Sequence, residues 1–285
     1  MSSHVWKVIY QTLVRLNRTI PNERRKCQYT DTLVVAMYVW SVMHDRPRCW
    51  AVERSSYHGP FRPRRLPSRS QFERRLAAPR GQALLQAAWK ELSKSSDPSL
   101  ISCMDGRALT VGPYSQDRDA GKGWVSNHFA RGYKLHAITK QRGKTAAWRV
   151  EPLNVSEKKV AAELIPEARP RGILLADGNY DSGPLYELAQ SSGAVLLTPF
   201  KKNAGRGHRQ QFPARLSAIQ MWMRKGKTLY KHRTDIERRF SQQSSFGGGL
   251  APLPPWVRGL RRVNQWVGTK LMIYHVRLAL REEAA

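Results

Sequence analysis

The sequence predicts an α/β fold: a mixed sheet flanked by helices, with an N-terminal helical module before it and a long helix at the end. Three observations carry that expectation. Helix-type apolar spacing occupies the first ninety residues, short apolar runs separated by turn residues take over from Leu100, and a stripe spaced by threes and fours runs from Trp256 to Leu278.

Taken in order, Val5, Val8, Ile9 and Leu13 form one helical stripe, and Leu33 to Met43 reads as a buried helical run. The segment Pro60 to Arg69 interleaves Pro with Arg and leads into a short helix, where Ser70 is expected to cap and Glu73 to complete a capping box. That helix would present Arg74 and Arg75 outward, and the spacing fits a DNA contact and a solvated surface face equally. Candidate strands are Ile101 to Met104, Tyr133 to Thr139, Ala146 to Val150, Ile173 to Ala176 and Ala194 to Thr198. Helices are expected over Ser156 to Leu164, capped by Ser156, and over Pro184 to Gln190. The basic stretch Lys201 to Arg209 reads as an exposed loop. A helix over Leu229 to Gln243 follows, then breaks at Gly247 to Gly249 and Pro252 to Pro255, then the last helix over Trp256 to Arg281, whose apolar stripe reads as core.

Composition narrows the function classes. With 285 residues, 41% of them hydrophobic and 25% charged, the chain can bury a sizeable core and wholesale disorder is excluded. Against 21 acidic residues stand 49 Lys and Arg, a formal charge of +28, which calls for a polyanionic partner. Nucleic acid fits best, because basic side chains release the counterions condensed on phosphates. An anionic membrane surface fits less well: the longest apolar stretch, Leu33 to Met43, is short of the ~20 residues a spanning helix needs. No cleavable signal peptide is recognised at the start, so a cytoplasmic protein without membrane association is expected. Cys27, Cys49 and Cys103 form no pair, and read as reduced structural thiols. Gly121-Lys122-Gly123 lacks the remainder of a phosphate-binding loop, which leaves a nucleotide-hydrolysing motor without support.

Three acids carry the chemistry. Asp105 follows the first strand and precedes Gly106, while Asp177 follows the fourth and precedes Gly178. Ligands gather at strand ends in open α/β sheets, although an Asp at such a junction also serves local turn bonds. The third element is Tyr230 to Glu237, where Tyr230, Arg233 and Glu237 share one helix face. Glu237 can complete a carboxylate cluster there, and Arg233 can hold that carboxylate or a phosphate; an ordinary surface ion pair has the same spacing. Three hard carboxylates suit Mg²⁺ or Mn²⁺, and a pair of such ions supports in-line phosphoryl transfer.

Together these residues resemble the DDE transposases of bacterial insertion sequences, in the group with a Tyr-x2-Arg-x3-Glu-x6-Lys signature. Met104-Asp105-Gly106 resembles the first-acid block, and Gly132-Tyr133-Lys134-Leu135-His136 a strand motif of that family. Leu175-Ala176-Asp177-Gly178-Asn179-Tyr180-Asp181-Ser182 resembles the second-acid block, and Tyr230, Arg233 and Glu237 match the third. These blocks span roughly Ser102 to Phe240; Leu66-Pro67-Ser68 with Phe72 to Leu76 resembles the N-terminal helical region. The resemblance implies an RNase H-like catalytic core over residues 97–285, including the C-terminal helix, after a helical DNA-binding region over residues 1–96. It implies Asp105, Asp177 and Glu237 as catalytic and metal-holding acids, two divalent ions, cleavage of double-stranded DNA at terminal inverted repeats, strand transfer into target DNA, and a homo-oligomer on DNA. Tyr230 is implied to stack near the DNA end and Arg233 to contact phosphate. Ser244 stands where the signature has Lys, a departure that Arg238 and Arg239 can offset. Lys134 and His136 are expected to be strand residues without a catalytic role.

Two other classes remain at this stage. A catalytically inactive DNA-binding relic of such an element would keep the charge and is left open by Ser244. An RNA-binding basic protein would explain the charge and the nine Trp, but not three acids so placed.

Overall fold

The computed structural model describes residues 3–21, 28–94, 99–199, 212–245, 250 and 252–283, the side chains of 235, 239, 240 and 243–245 excepted. Lys201 to Arg209, Gly247 to Gly249 and Cys27 lie outside the described residues, as do the side chains of Arg239 and Ser244. The chain forms two compact units, residues 1–94 with 246–248 and 265–285, and residues 95–245 with 249–264. From Gln265 onward the chain belongs to the first unit.

The first unit is helical. Helix α1 (Ser3–Thr19) buries Val5, Trp6, Ile9 and Leu13, the expected stripe with Trp6 added and Val8 partly exposed. Helix α2 (Asp31–Met43) is apolar around its whole circumference and almost wholly buried, and Thr30 caps it by accepting a hydrogen bond from the Leu33 amide. Trp6, Trp40, Phe61 and Tyr57 form an aromatic cluster, edge to face except for the tilted Trp6–Phe61 pair.

Helix α3 (Arg69–Ala77) departs from the sequence reading. Its cap is Ser68, not Ser70, and the box is completed by Gln71, whose side chain returns to the Ser68 amide. Both Ser-x-x-Gln/Glu registers fit the pattern; the earlier one wins because it turns Phe72 and Leu76 fully into the core. Glu73 instead receives Arg48 at 2.8 Å. Arg74 is exposed as expected, whereas Arg75 is turned onto Asp31 at 2.7 Å, with Arg80 on the other carboxylate oxygen at 3.3 Å. Helix α4 (Pro79–Leu92) starts on Pro79, where the missing amide costs nothing.

The second unit is built on a six-stranded mixed sheet. Its strands are β1 (Ile101–Thr110), β2 (Gly121–Val125), β3 (His128–Lys140), β4 (Thr145–Pro152), β5 (Gly172–Leu175) and β6 (Ala194–Leu197). Antiparallel pairing joins β1, β2 and β4 to β3; β5 lies parallel to β1, and β6 parallel to β5. The order β2-β3-β1-β5-β6, with β4 also on β3, is the RNase H-like arrangement that the resemblance implies. Strand β2 has no counterpart among the expected strands, because three of its first four positions are Gly or Lys rather than β-formers.

Period-two alternation assigns the two faces. Met104, Ile138 and Leu174 point to the side covered by α5 (Glu157–Ala168), α6 (Gly183–Ser191) and α7 (Pro213–Met221). Cys103, Leu175 and Leu197 point to the other side, where they meet Ile236 of α8 (Lys227–Ser245). Ser156 precedes α5, but its hydroxyl makes no capping bond. One π-helical turn, Trp222–Gly226, joins α7 to α8. The final helix, α9 (Leu260–Glu283), starts four residues later than expected, leaving Trp256 exposed in the preceding segment.

Candidate active site

The parallel pairing of β1 with β5 brings two acids together. Ile101, Ser102 and Cys103 lie level with Ile173, Leu174 and Leu175. Asp105 and Asp177 each lie two residues past the last of these pairs. Asp105 lies on the Cys103 face, toward α8.

Asp105 is not at a strand end as expected. Strand β1 continues through Gly106 to Thr110, paired residue by residue with β3, and Asp105 is level with Ala137. Gly106 therefore serves close packing and not a bend: a Cβ there would come within 3.0 Å of the Lys134 side chain, with His136 at 3.6 Å. The Gly106 amide donates to Asp105 Oδ1 at 2.9 Å. Burial pushes the Asp105 carboxyl up to about 6; that bond and the Arg233 guanidinium draw it down, and the charges of Glu237 and Asp177 push it further up. Asp105 thus senses both of the other acids. Asp177 lies two residues past the end of β5, and it caps the short helical turn Gly178–Tyr180 by accepting from the Asn179 amide at 2.8 Å.

Helix α8 contributes the rest. Ile236, 1% exposed, is seated against Cys103, Leu175 and Leu197, which fixes the rotation of the helix and presents Glu237 beside it. Arg233, one turn earlier, holds the Glu237 carboxylate, and its Nη2 is 3.9 Å from Asp105 Oδ1. Tyr230 donates its hydroxyl to the carbonyl of Ala176, next to Asp177, at 3.3 Å. Its ring packs edge-on to Trp222 and beneath the Arg233 guanidinium. Asp105 in the middle of β1, Asp177 just past β5, and Tyr230, Arg233 and Glu237 on α8 are therefore brought near one another. Arg238 is exposed on the same helix, while Arg74 and Arg75 belong to the other unit.

Sequence reasoning missed three neighbours. Tyr180 is buried with its hydroxyl unpaired and its ionisation pushed well up by burial, then by Glu157, Asp105 and Asp177. Asp181, the other acid of the second block, is occupied by Arg215, with bonds of 2.8 and 3.0 Å, and so ties α7 to the site. Behind Gly106, His136 is 2% exposed with neither ring nitrogen bonded. All three sit in motifs quoted from the sequence, but nothing in those motifs marks their burial or their partners.

The donor set fits a hard divalent cation by its chemistry: three carboxylates, one of them raised partly by the repulsion of the other two. As they stand, no three acidic, His or Cys side chains among the described residues gather closely enough to hold an ion. Arg233 occupies Glu237 instead. No helix among the described residues is long and apolar enough to cross a membrane.

Comparison with known proteins identifies a family. A family model described as "Transposase DDE domain" matches residues 96–274. No match was found among curated proteins. A solved piggyBac transposase synaptic complex with hairpin DNA superposes with a TM-score of 0.45 and 10% identity, covering 97% of this chain and 73% of that one, a likeness too slight to add to the family match.

Proposed function

Because the chain belongs to the DDE transposase domain family, we propose that it cuts DNA strands at the ends of a mobile element and joins them to target DNA, using Asp105, Asp177 and Glu237. The observation that supports the reading is that the paired strands β1 and β5 lead into Asp105 and Asp177, with Asp105 on the face where α8 presents Glu237 and under the charges of both other acids. A purely structural role for Asp105 is a poor alternative, since a carboxylate raised by burial, and further by two like-charged neighbours, costs stability without a ligand.

The oxygens of Asp105, Asp177 and Glu237 are the donors that would hold two Mg²⁺ or Mn²⁺ ions. When bound, such cations supply activation of the attacking hydroxyl and neutralisation of the leaving oxygen. The chain's own residues do the positioning. Arg233 lies between Asp105 and Glu237 and offers a planar guanidinium that can pass from carboxylate to DNA phosphate. Tyr230, held by its bond to Ala176, fixes one wall of the site and presents a ring on which a terminal base can stack. Arg238 and Arg239 follow on the same helix and add phosphate contacts that take over from the Lys the signature has at the position of Ser244. In the other unit Arg74 is the exposed member of its pair and the better DNA contact; Arg75 must first give up Asp31. The surplus of 49 basic over 21 acidic residues supplies affinity for double-stranded DNA, both inverted repeats and target. Pairing two DNA ends calls for more than one copy of the chain.

The test is strand cleavage of DNA carrying the element's terminal inverted repeats in Mg²⁺, Mn²⁺ or EDTA. Nicks at the repeat ends with either cation and none in EDTA are expected. Binding without nicking under every cation would contradict the reading and leave a DNA-binding relic.

A further inference from the structure

We infer that the β2–β3 hairpin is a second DNA-contacting surface, whose Trp124 and Phe129 stack on an unpaired base; this rests on the reading that the chain acts on DNA. The two strands are joined through Ser126 and Asn127, with Ser126 in the left-handed region at φ 54°. Trp124 and Phe129 are direct partners in the ladder, their ring centroids 5.9 Å apart at 73°. They are 69% and 59% exposed, a large apolar area to leave in water.

The hairpin's other face explains why the rings point outward. Gly121 and Gly123 lie on Leu153 and Asn154 so closely that a Cβ would fall 2.0 Å from Asn154 Oδ1 at the first and 2.9 Å from the Leu153 carbonyl oxygen at the second. The two glycines thus clamp the ribbon backbone-first, and alternation sends residues 122, 124, 129 and 131 to the open side. The loop that leads in is fixed by Arg131, whose guanidinium donates to the carbonyls of Ser115, Asp117 and Ala120. The rings are therefore held ready on a rigid ribbon.

Charge and direction identify the occupant. Lys122 shares the aromatic face and is exposed, and Arg118 is exposed in the adjoining loop. Aromatic rings beside cations suit a nucleobase joined to its phosphate, and a base offers its π-face only when it is out of the duplex stack. Strand β3 runs without a bulge from Phe129 to Ala137, the partner of Asp105, so the rings and Asp105 lie on the same side of the sheet by alternation. Eight residues at ~3.3 Å each separate the two by about 26 Å. DNA crossing the acids on that face reaches the hairpin, yet substitutions there leave the acids undisturbed.

The experiment measures binding of the full chain to a 25-mer duplex with blunt ends and to the same duplex carrying five unpaired thymidines at one end, over a salt series. Trp124→Ala with Phe129→Ala should weaken binding to the tailed probe by about tenfold or more and hardly affect the blunt one. Its salt slope should match the parent's, since no charge is lost, and Trp124→Phe should restore most of the affinity. Unchanged binding to both probes, or a double variant altered only in oligomeric state by sedimentation, would overturn the proposal while leaving the DNA reading intact. A parent chain that binds neither probe would overturn that reading and this one with it.

Discussion

Arg233 holds the carboxylate of Glu237 one helical turn away, and the same guanidinium nitrogen is 3.9 Å from Asp105. One cation thus separates two acids that would otherwise repel. Arg233→Ala is expected to slow strand cleavage by about a hundredfold, the scale of losing one preorganised charge partner. Arg233→Lys should recover only part, because an ammonium cannot bridge in the same plane. Nicking rates at saturating protein measure this, and binding affinity should change only a few-fold.

The position of Glu237 depends on its buried neighbour. Ile236→Ala opens a hole among Cys103, Leu175 and Leu197 and should cost about 2–4 kcal/mol in denaturant unfolding. Cleavage should fall even under conditions where the variant is fully folded, since α8 loses its seat on the sheet.

Helix α3 offers a test between two readings of one segment. Ser68→Ala removes a cap that accepts from the Gln71 amide and should cost about 1 kcal/mol of stability. Ser70→Ala, the change that the sequence alone would have marked, should be close to neutral.

That helix illustrates what the sequence carried and what it did not. Asp105 and Asp177 were legible because a short apolar run precedes each, and Tyr230, Arg233 and Glu237 because their spacing by three and four matches a signature; the structure brings them near one another. Ser68 and Ser70 were indistinguishable by motif, since burial of Phe72 and Leu76 is what decides between them. Arg75 read as outward-facing because its partner Asp31 is 44 residues away in the chain. Asp105 seemed to close a strand because Gly106 follows it, yet that glycine makes room for Lys134 and His136 from the next strand. Strand β2 was invisible for a related reason: its glycines are dictated by residues 153 and 154, a contact that local propensity cannot encode.

His136 gives the fold a pH dependence. Burial, with Lys134 beside it, depresses its pKa to about 4, below the ~6.5 of an unfolded chain. The unfolded state then binds more protons between those values, so this contribution is complete above pH 6.5 and is lost as pH falls toward 4. The loss amounts to roughly 3 kcal/mol if the side chain stays buried. Unfolding free energies at pH 7 and pH 5 should differ less in His136→Gln than in the parent.

The proposed catalytic centre of Asp105, Asp177 and Glu237 is separable from the basic surface proposed to bind DNA. The direct measurement compares strand cleavage and DNA binding for Asp105→Asn, Asp177→Asn and Glu237→Gln against the parent in Mg²⁺. Each variant is expected to lose cleavage by a thousandfold or more, on the order of removing an essential catalytic group, while binding stays within a few-fold. Cleavage at the parental rate in any of the three, or loss of binding in all of them, would contradict the assignment.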